Sequence, residues 1–174
     1  IERRGLLLWL AFFFVELGAG TYLVATFFEH LLAMMIGWLI CAILGGGLQI
    51  LYLGHPSRFW RMVLKPQTSW ISRGLIFVGI FLSLGVIQMT SVHTSSFSLL
   101  LKIATSVSAF LVVIYGGFAM SYVNGIPLWN TALLPILYLV GGVWGGGGLV
   151  LAMGLFTKET TVAIAVEQWV RVLL

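Results

Sequence analysis

Five apolar stretches, at about 5–29, 31–53, 73–89, 98–122 and 131–156, follow one another along this chain of 174 residues. Each is long enough to cross a bilayer as a helix, which takes about 17–25 residues. Hydrophobic residues make up 60% of the chain and charged residues 8%, whereas a soluble domain carries about 25% charge. A water-facing surface cannot be built from that inventory, so the bilayer is the solvent that suits it. The first stretch is too long for the apolar core of a signal peptide, and further spans follow it at once. Unpaired backbone groups are costly in hydrocarbon, and these stretches are too long and too evenly apolar for barrel strands. The expected fold is therefore all-α: a polytopic membrane helical bundle forming one transmembrane domain over residues 1–174, with five spans and part of a sixth.

The final piece, "TKETTVAIAVEQWVRVLL", leaves two readings open. It opens a sixth span near Thr160 that the sequence cuts short, or Glu167 and Arg171 form an i, i+4 pair on an interfacial helix. The chain starts at Ile1 rather than Met, so a fragment of a longer protein is expected.

The net charge of +4 is not a nucleic-acid footprint. The cations sit at span ends and in connectors, where they set topology and meet lipid headgroups. Arg3, Arg4, Arg58, Arg61, Lys65 and Arg73 fall on one face, against Lys102 and Lys158 near the other. The positive-inside rule then places the N-terminus and the 55–72 connector in the cytoplasm. One cysteine, Cys41, excludes an internal disulfide and a cysteine-ligated cluster, and its apolar setting reads as a small buried residue. His30, His55 and His93 lie at or beyond span ends rather than paired at one depth, so no haem or metal is expected on this protein. Glycines cluster in "ELGAGTY", "LGGGLQ" and "VGGVWGGGGLVLAMG". Inside apolar spans they read as close helix crossings, at Gly18 to Gly20, Gly45 to Gly47 and Gly145 to Gly148, and not as phosphate loops.

Glu16 is the sharpest single residue. It lies about halfway along span one, on one helical stripe with Gly20, Leu23 and Phe27. A carboxylate at that depth is costly, and such residues face a cavity, a proton path or a partner; a hydrogen bond to another span is the plainer alternative. Glu29 and His30 end span one at the other surface, as interface anchors or as a site of proton uptake and release. Ser and Thr within the spans read as bonded to their own helix, and Tyr122 as an interfacial anchor.

The connector "HPSRFWRMVLKPQTSWISRG" gathers basic residues, prolines and tryptophans. Between Pro56 and Pro66, Phe59, Met62 and Val63 form an apolar stripe opposite Arg58, Arg61 and Lys65, the pattern of a surface helix on lipid headgroups or an acidic partner. Ser72 reads as the N-cap of span three, with Arg73 just inside.

The run "YLGHPSRFWRMVLKPQTSWISRG", with "ELGAGTYLVA" in span one and "GIPLWNTALLPILYLVGG" leading into span five, resembles the NrfD/polysulfide-reductase family of membrane subunits. The three motifs stand in family order over most of the sequence. The resemblance implies a quinone-interacting anchor of a respiratory oxidoreductase in a prokaryotic cytoplasmic (inner) membrane, with eight or more spans in full-length members. It implies menaquinone or ubiquinone as substrate and a ferredoxin-like iron–sulfur partner subunit. It also implies a molybdopterin-type or related catalytic subunit, and a quinone site in the first four-helix bundle. On that pattern Glu16, Tyr22, Tyr115 and Tyr122 are the quinone-binding candidates, with Glu16 handling protons. Glu16, Glu29 and His30 make the proton path, and Arg58, Trp60, Arg61, Trp70 and Arg73 meet a partner or the next connector. Two other classes fit an intramembrane Glu: a transporter or ion-coupling bundle, and a purely structural anchor. The first calls for inverted repeats with broken helices, and Pro135 has no clear counterpart.

Overall fold

A computed structural model describes residues 2–53, 67, 69–90, 95–122, 131–157 and 160–172. The described elements are all helical. They are α1 (Glu2–Phe27), α2 (Leu31–Leu39), a π-helical segment (Ile40–Gly46), α3 (Gly47–Leu53), α4 (Trp70–Thr90), α5 (Ser95–Ser121), α6 (Leu133–Phe156) and α7 (Thr160–Val172). Among the described residues, five helices are long and apolar enough to cross a membrane: Gly5–Phe27, Leu31–Tyr52, Trp70–Thr90, Ser98–Ser121 and Leu133–Phe156. The second combines α2, the π segment and α3.

Helix α1 is the hub. Ala11, Phe12, Val15, Ala19, Tyr22 and Ala25 are buried at helical spacing against α2, the π segment, α5 and α6. Leu6, Trp9, Phe13 and Phe27 of the same helix are exposed. That is the expected outcome for a bundle whose outer solvent is as apolar as its core. It is also why no hydropathy pattern marks the buried face.

Small residues set how close the helices come. A Cβ at Gly18 would stand 2.5 Å from the Cys41 nitrogen and 2.7 Å from the Gly37 carbonyl oxygen, so α1 meets span two backbone to backbone. On the far side of α1, a Cβ at Gly20 would stand 2.1 Å from the Gly142 carbonyl oxygen, and one at Gly146 would stand 2.5 Å from the Gly20 carbonyl carbon. The clusters are not uniform, however. Nothing lies within 4 Å of a Cβ at Gly47 or Gly148, so these two face open space rather than a crossing. The π segment brings fully buried Cys41 and Gly45 onto Gly18 and Val15, and nothing in the sequence pattern announces it.

The α1–α2 corner is short and backbone-strained. Glu29 sits at φ 57°, the His30 N–H donates to the Ala25 carbonyl (2.9 Å), and His30 Nδ1 accepts from the Ala33 N–H (3.1 Å) as the N-cap of α2. The exposed Glu29 carboxylate pairs with Lys102 at 2.8 Å. Glu29→Gly and Glu29→Ala lose the same carboxylate, but only glycine adopts this φ without strain. The glycine variant is therefore expected to be the more stable by about 1 kcal/mol, read as the difference in thermal unfolding between the two.

Span three starts earlier than the sequence suggests. Ser69, not Ser72, caps α4: its Oγ accepts from the Ser72 N–H (3.5 Å), and its carbonyl takes the Arg73 N–H (3.2 Å). Ser72 is buried in the first turn, so its side chain faces the bundle rather than closing the helix end. Helix α7 returns antiparallel along α6, with Ala163 beside Gly154 and Val170 beside Gly147. Trp169 meets Phe27 and Phe28 of span one at ring-centroid distances of 5.2 and 6.2 Å. This favours a returning sixth span over a helix lying along the interface, although Glu167 and Arg171 do pair on its exposed side.

Candidate functional site

Glu16 projects from the middle of α1 toward α6, where two successive glycines make room for it. A Cβ at Gly141 would stand 2.7 Å from the carboxyl Oε1, and one at Gly142 would stand 3.1 Å from Cγ. The carboxyl lines a cavity of about 240 Å³ together with Trp9, Phe13, Leu134, Leu137 and Tyr138. Trp9, Phe13 and Leu137 are themselves exposed, so the cavity opens on the outer surface of this bundle. Among its lining residues, Glu16, Tyr138 and Trp9 carry polar side-chain groups. Among the described residues neither Glu16 nor Tyr138 has a hydrogen-bond partner. The cavity lies between spans one and five, outside the four-helix arrangement of spans one to four.

Several other intramembrane polar groups among the described residues are bonded inside the fold. The Tyr22 hydroxyl, fully buried, donates to Gln88 Oε1 at 3.1 Å, and its ring meets Phe81 edge-on at 5.0 Å. Gln49 Nε2 donates to the Tyr115 hydroxyl at 2.6 Å, Phe12 meets the Tyr115 ring edge-on, and Gly74 leaves space for that ring. The two Tyr–Gln pairs tie span one to span three and span two to span four. Thr21, Thr26 and Thr105 donate back to carbonyls of their own helices. Tyr115→Phe would leave the buried Gln49 amide without its acceptor. It is expected to lower stability by about 1–2 kcal/mol, with much of the loss recovered in the Tyr115→Phe/Gln49→Leu double variant, measured by thermal unfolding in detergent.

Residues 5–170 match the family model described as polysulphide reductase, NrfD. The protein belongs to the NrfD family. A similar curated protein is the C subunit of polysulfide reductase from Wolinella succinogenes, 31% identical over 142 residues, which is 67% of the present sequence and 44% of the relative. The NrfD protein described here thus spans less than half the length of that relative. No solved structure matches it. With its family and its five spanning helices, it is an integral multi-pass membrane protein.

The other sequence candidates of this NrfD protein are spread over the bundle. Tyr22 and Tyr115 lie in its interior, and Tyr122 is 70% exposed just past the end of α5; none of the three lines the Glu16 cavity. Glu29 and His30 stand roughly 20 Å further along, at 1.5 Å of helix rise per residue. There Glu29 and Lys102 line a second cavity of about 610 Å³ with Thr26, Met34, Gln88 and Leu101. Trp70 stacks on Phe118 (4.8 Å, 10° between planes), the Arg73 guanidinium lies 4.6 Å over the Trp70 ring, and Arg73 also donates to the Gln67 carbonyl. Trp70 therefore fastens the start of α4 to α5, with Arg73 lying over its ring. Arg58, Trp60 and Arg61, the stretch between Pro56 and Pro66 expected to form a surface helix, His55, His93 and residues 123–130 lie outside the described residues. Among the described residues, no three His, Cys, Asp or Glu side chains come together as a metal site.

Sequence reasoning missed Tyr138. A tyrosine a few residues into a span reads as ordinary interfacial anchoring. The usable signal was its place three residues before the Gly141–Gly142 pair, on a helix that the glycines bring against α1.

Proposed function

We propose that this protein is the quinone-reactive membrane anchor of a multisubunit respiratory oxidoreductase in a prokaryotic cytoplasmic membrane, with its N-terminus on the cytoplasmic side. The observation that carries the reading is the Glu16 cavity. In an NrfD protein, a mid-span carboxyl with no hydrogen-bond partner among the described residues lines a cavity open at the outer surface of the bundle. A quinone travels in hydrocarbon and carries two carbonyl oxygens on an apolar ring, which is the ligand chemistry such a cavity admits. Trp9, Phe13, Leu134 and Leu137 flank the ring and exclude water, while Glu16 exchanges a proton with a ring oxygen. Interconversion of quinone and quinol takes two electrons and two protons. Protons reach or leave Glu16 by way of the Glu29–His30 corner. Electrons pass to or from a ferredoxin-like iron–sulfur subunit paired with a molybdopterin-type catalytic subunit. Tyr22, Tyr115 and Tyr122 stay as further quinone-binding candidates, the first two bonded to Gln88 and Gln49 within the bundle of spans one to four.

Purification of the tagged protein from its native membrane tests this reading. The expected preparation contains iron–sulfur and molybdenum or tungsten subunits, and its quinol-linked activity is blocked by quinone-site inhibitors. A complex without redox centres would favour the transporter class. A redox complex with no inhibitor-sensitive quinol activity would favour a structural anchor.

A further inference from the structure

Among the described residues, span two is the membrane-crossing helix that changes its winding, from α to π and back between Ile40 and Gly46. A π turn takes in an extra residue, is rare, and inside α-helices is frequently found at functional sites. Its effect here is on which side chains face inward. Gly37, Cys41, Gly45 and Gln49 follow one another at a spacing of four, and each makes a contact inside the bundle. A Cβ at Gly37 would stand 2.8 Å from the Tyr22 nitrogen, one at Gly18 2.5 Å from the Cys41 nitrogen, and one at Gly45 2.4 Å from Val15 Cγ2. Gln49 bonds the Tyr115 hydroxyl, and the Tyr115 ring lies against Phe12. In an unbroken α-helix each residue turns about 100°, so Gln49 would stand about 120° off the line of Gly37. Leu48 would take its place, about 20° from that line. The π segment absorbs the difference. The facing helix agrees: ten residues of α1 separate Tyr22 from Phe12, whereas twelve of span two separate Gly37 from Gln49. At 1.5 Å per residue the two stretches differ by about 3 Å, and a wider, flatter winding on span two keeps the four levels opposed.

We infer that the π segment is a register device: it delivers Gln49 rather than Leu48 to span four, and so makes Gln49 the positioning residue that sets the direction of the Tyr115 hydroxyl. The amide donates and the hydroxyl oxygen accepts, so the phenol's own O–H is left to donate to a third group inside the bundle of spans one to four. Gln49 fixes that direction whether or not a quinone ring reaches Tyr115. A leucine at the same place would fill the space and leave the hydroxyl to rotate. Gly37, Cys41, Gly45, Gln49 and Tyr115 are all buried against one another's helices, so the device does not depend on what covers the outer surface of the bundle.

Removing one residue from the full-length protein is the sharpest test. Deletion of Ile43, which is exposed within the π segment, leaves eleven positions between Gly37 and Gln49. A plain α-helix brings those ends to within about 20° of one line. This protein is expected to fold, with a Tm in detergent within about 4 °C of wild type, and to keep the Gln49–Tyr115 bond. Deletion of Ile80, exposed in the regular helix α4, turns one half of that helix about 100° against the other, and loss of the folded protein is expected. The bond is read by infrared spectroscopy of ring-labelled tyrosine, with the Tyr115 C–O band identified by its absence in Tyr115→Phe. That band is expected at the wild-type position in the Ile43 deletion and shifted in Gln49→Leu. Leu48→Gln/Gln49→Leu keeps the composition of span two, needs no deletion, and is expected to show the shifted band. Equal outcomes for the two deletions would overturn the register device, as would a tolerated Ile43 deletion with a shifted band. A wild-type band in Leu48→Gln/Gln49→Leu would place residue 48 inward and overturn it too. A band unmoved by Gln49→Leu would remove Gln49 as the positioning residue of Tyr115.

Discussion

Glu16→Gln is expected to slow quinol-linked turnover about a hundredfold while dye-linked activity of the complex stays at the wild-type level. General acid–base groups contribute roughly 10²–10⁴ in rate, and glutamine keeps the shape and polarity of the side chain while removing its transferable proton. The variant is expected to assemble normally, because the Glu16 carboxyl makes no hydrogen bond within the described fold that the amide would break. The Gly141–Gly142 step leaves the same space for either head group. Glu16→Asp, one methylene shorter, keeps the proton but draws it back from the cavity, so an intermediate rate is expected. Steady-state assays with a short-chain quinol and with the dye check all three proteins. Wild-type quinol turnover in Glu16→Gln would show that the carboxyl carries no proton in the reaction.

The other large effect concerns the seam itself. Gly20→Ala is expected to destabilise the subunit by about 3 kcal/mol, at the upper end for overpacking, and to abolish quinol activity before the protein is lost from the membrane. The clash is with backbone: the new methyl would stand 2.1 Å from the Gly142 carbonyl oxygen and 3.0 Å from its Cα. No side chain can rotate away, so α6 must back off from α1, and that motion carries Gly141 and Tyr138 away from Glu16. Gly148→Ala is the control, since nothing lies within 4 Å of its added methyl although it belongs to the same glycine run. That variant is expected to be neutral or slightly stabilised, because alanine is the better helix former. Thermal stability in detergent, followed by the fraction of complex surviving in size-exclusion chromatography, separates the two. Equal losses in both would mean that the glycines serve helix flexibility rather than close approach.

Hydropathy along the sequence locates the five spans to within a few residues, except at the start of the third. There Ser69 and Ser72 are equally good caps by residue type, and only the backbone path chooses between them. Glu16 also stands out from sequence, because a carboxyl in the middle of an apolar run is expensive wherever it points. Tyr138, Gly37, Gly142 and the division of labour among the tyrosines were not legible. A tyrosine or a glycine in a span has an ordinary explanation that needs no partner, and the residues that make it special belong to other helices.

Length and hydropathy determine by themselves that the protein crosses the membrane as helices, because hydrocarbon leaves the backbone no other way to satisfy its hydrogen bonds. Which face of each helix turns inward is decided only in the tertiary structure. Lipid and protein core are equally apolar, so the choice falls to close backbone contacts such as Gly18 with Cys41 and Gly20 with Gly142. Those contacts bring Glu16 of the first span and Tyr138 of the fifth to one cavity, more than a hundred residues apart in sequence.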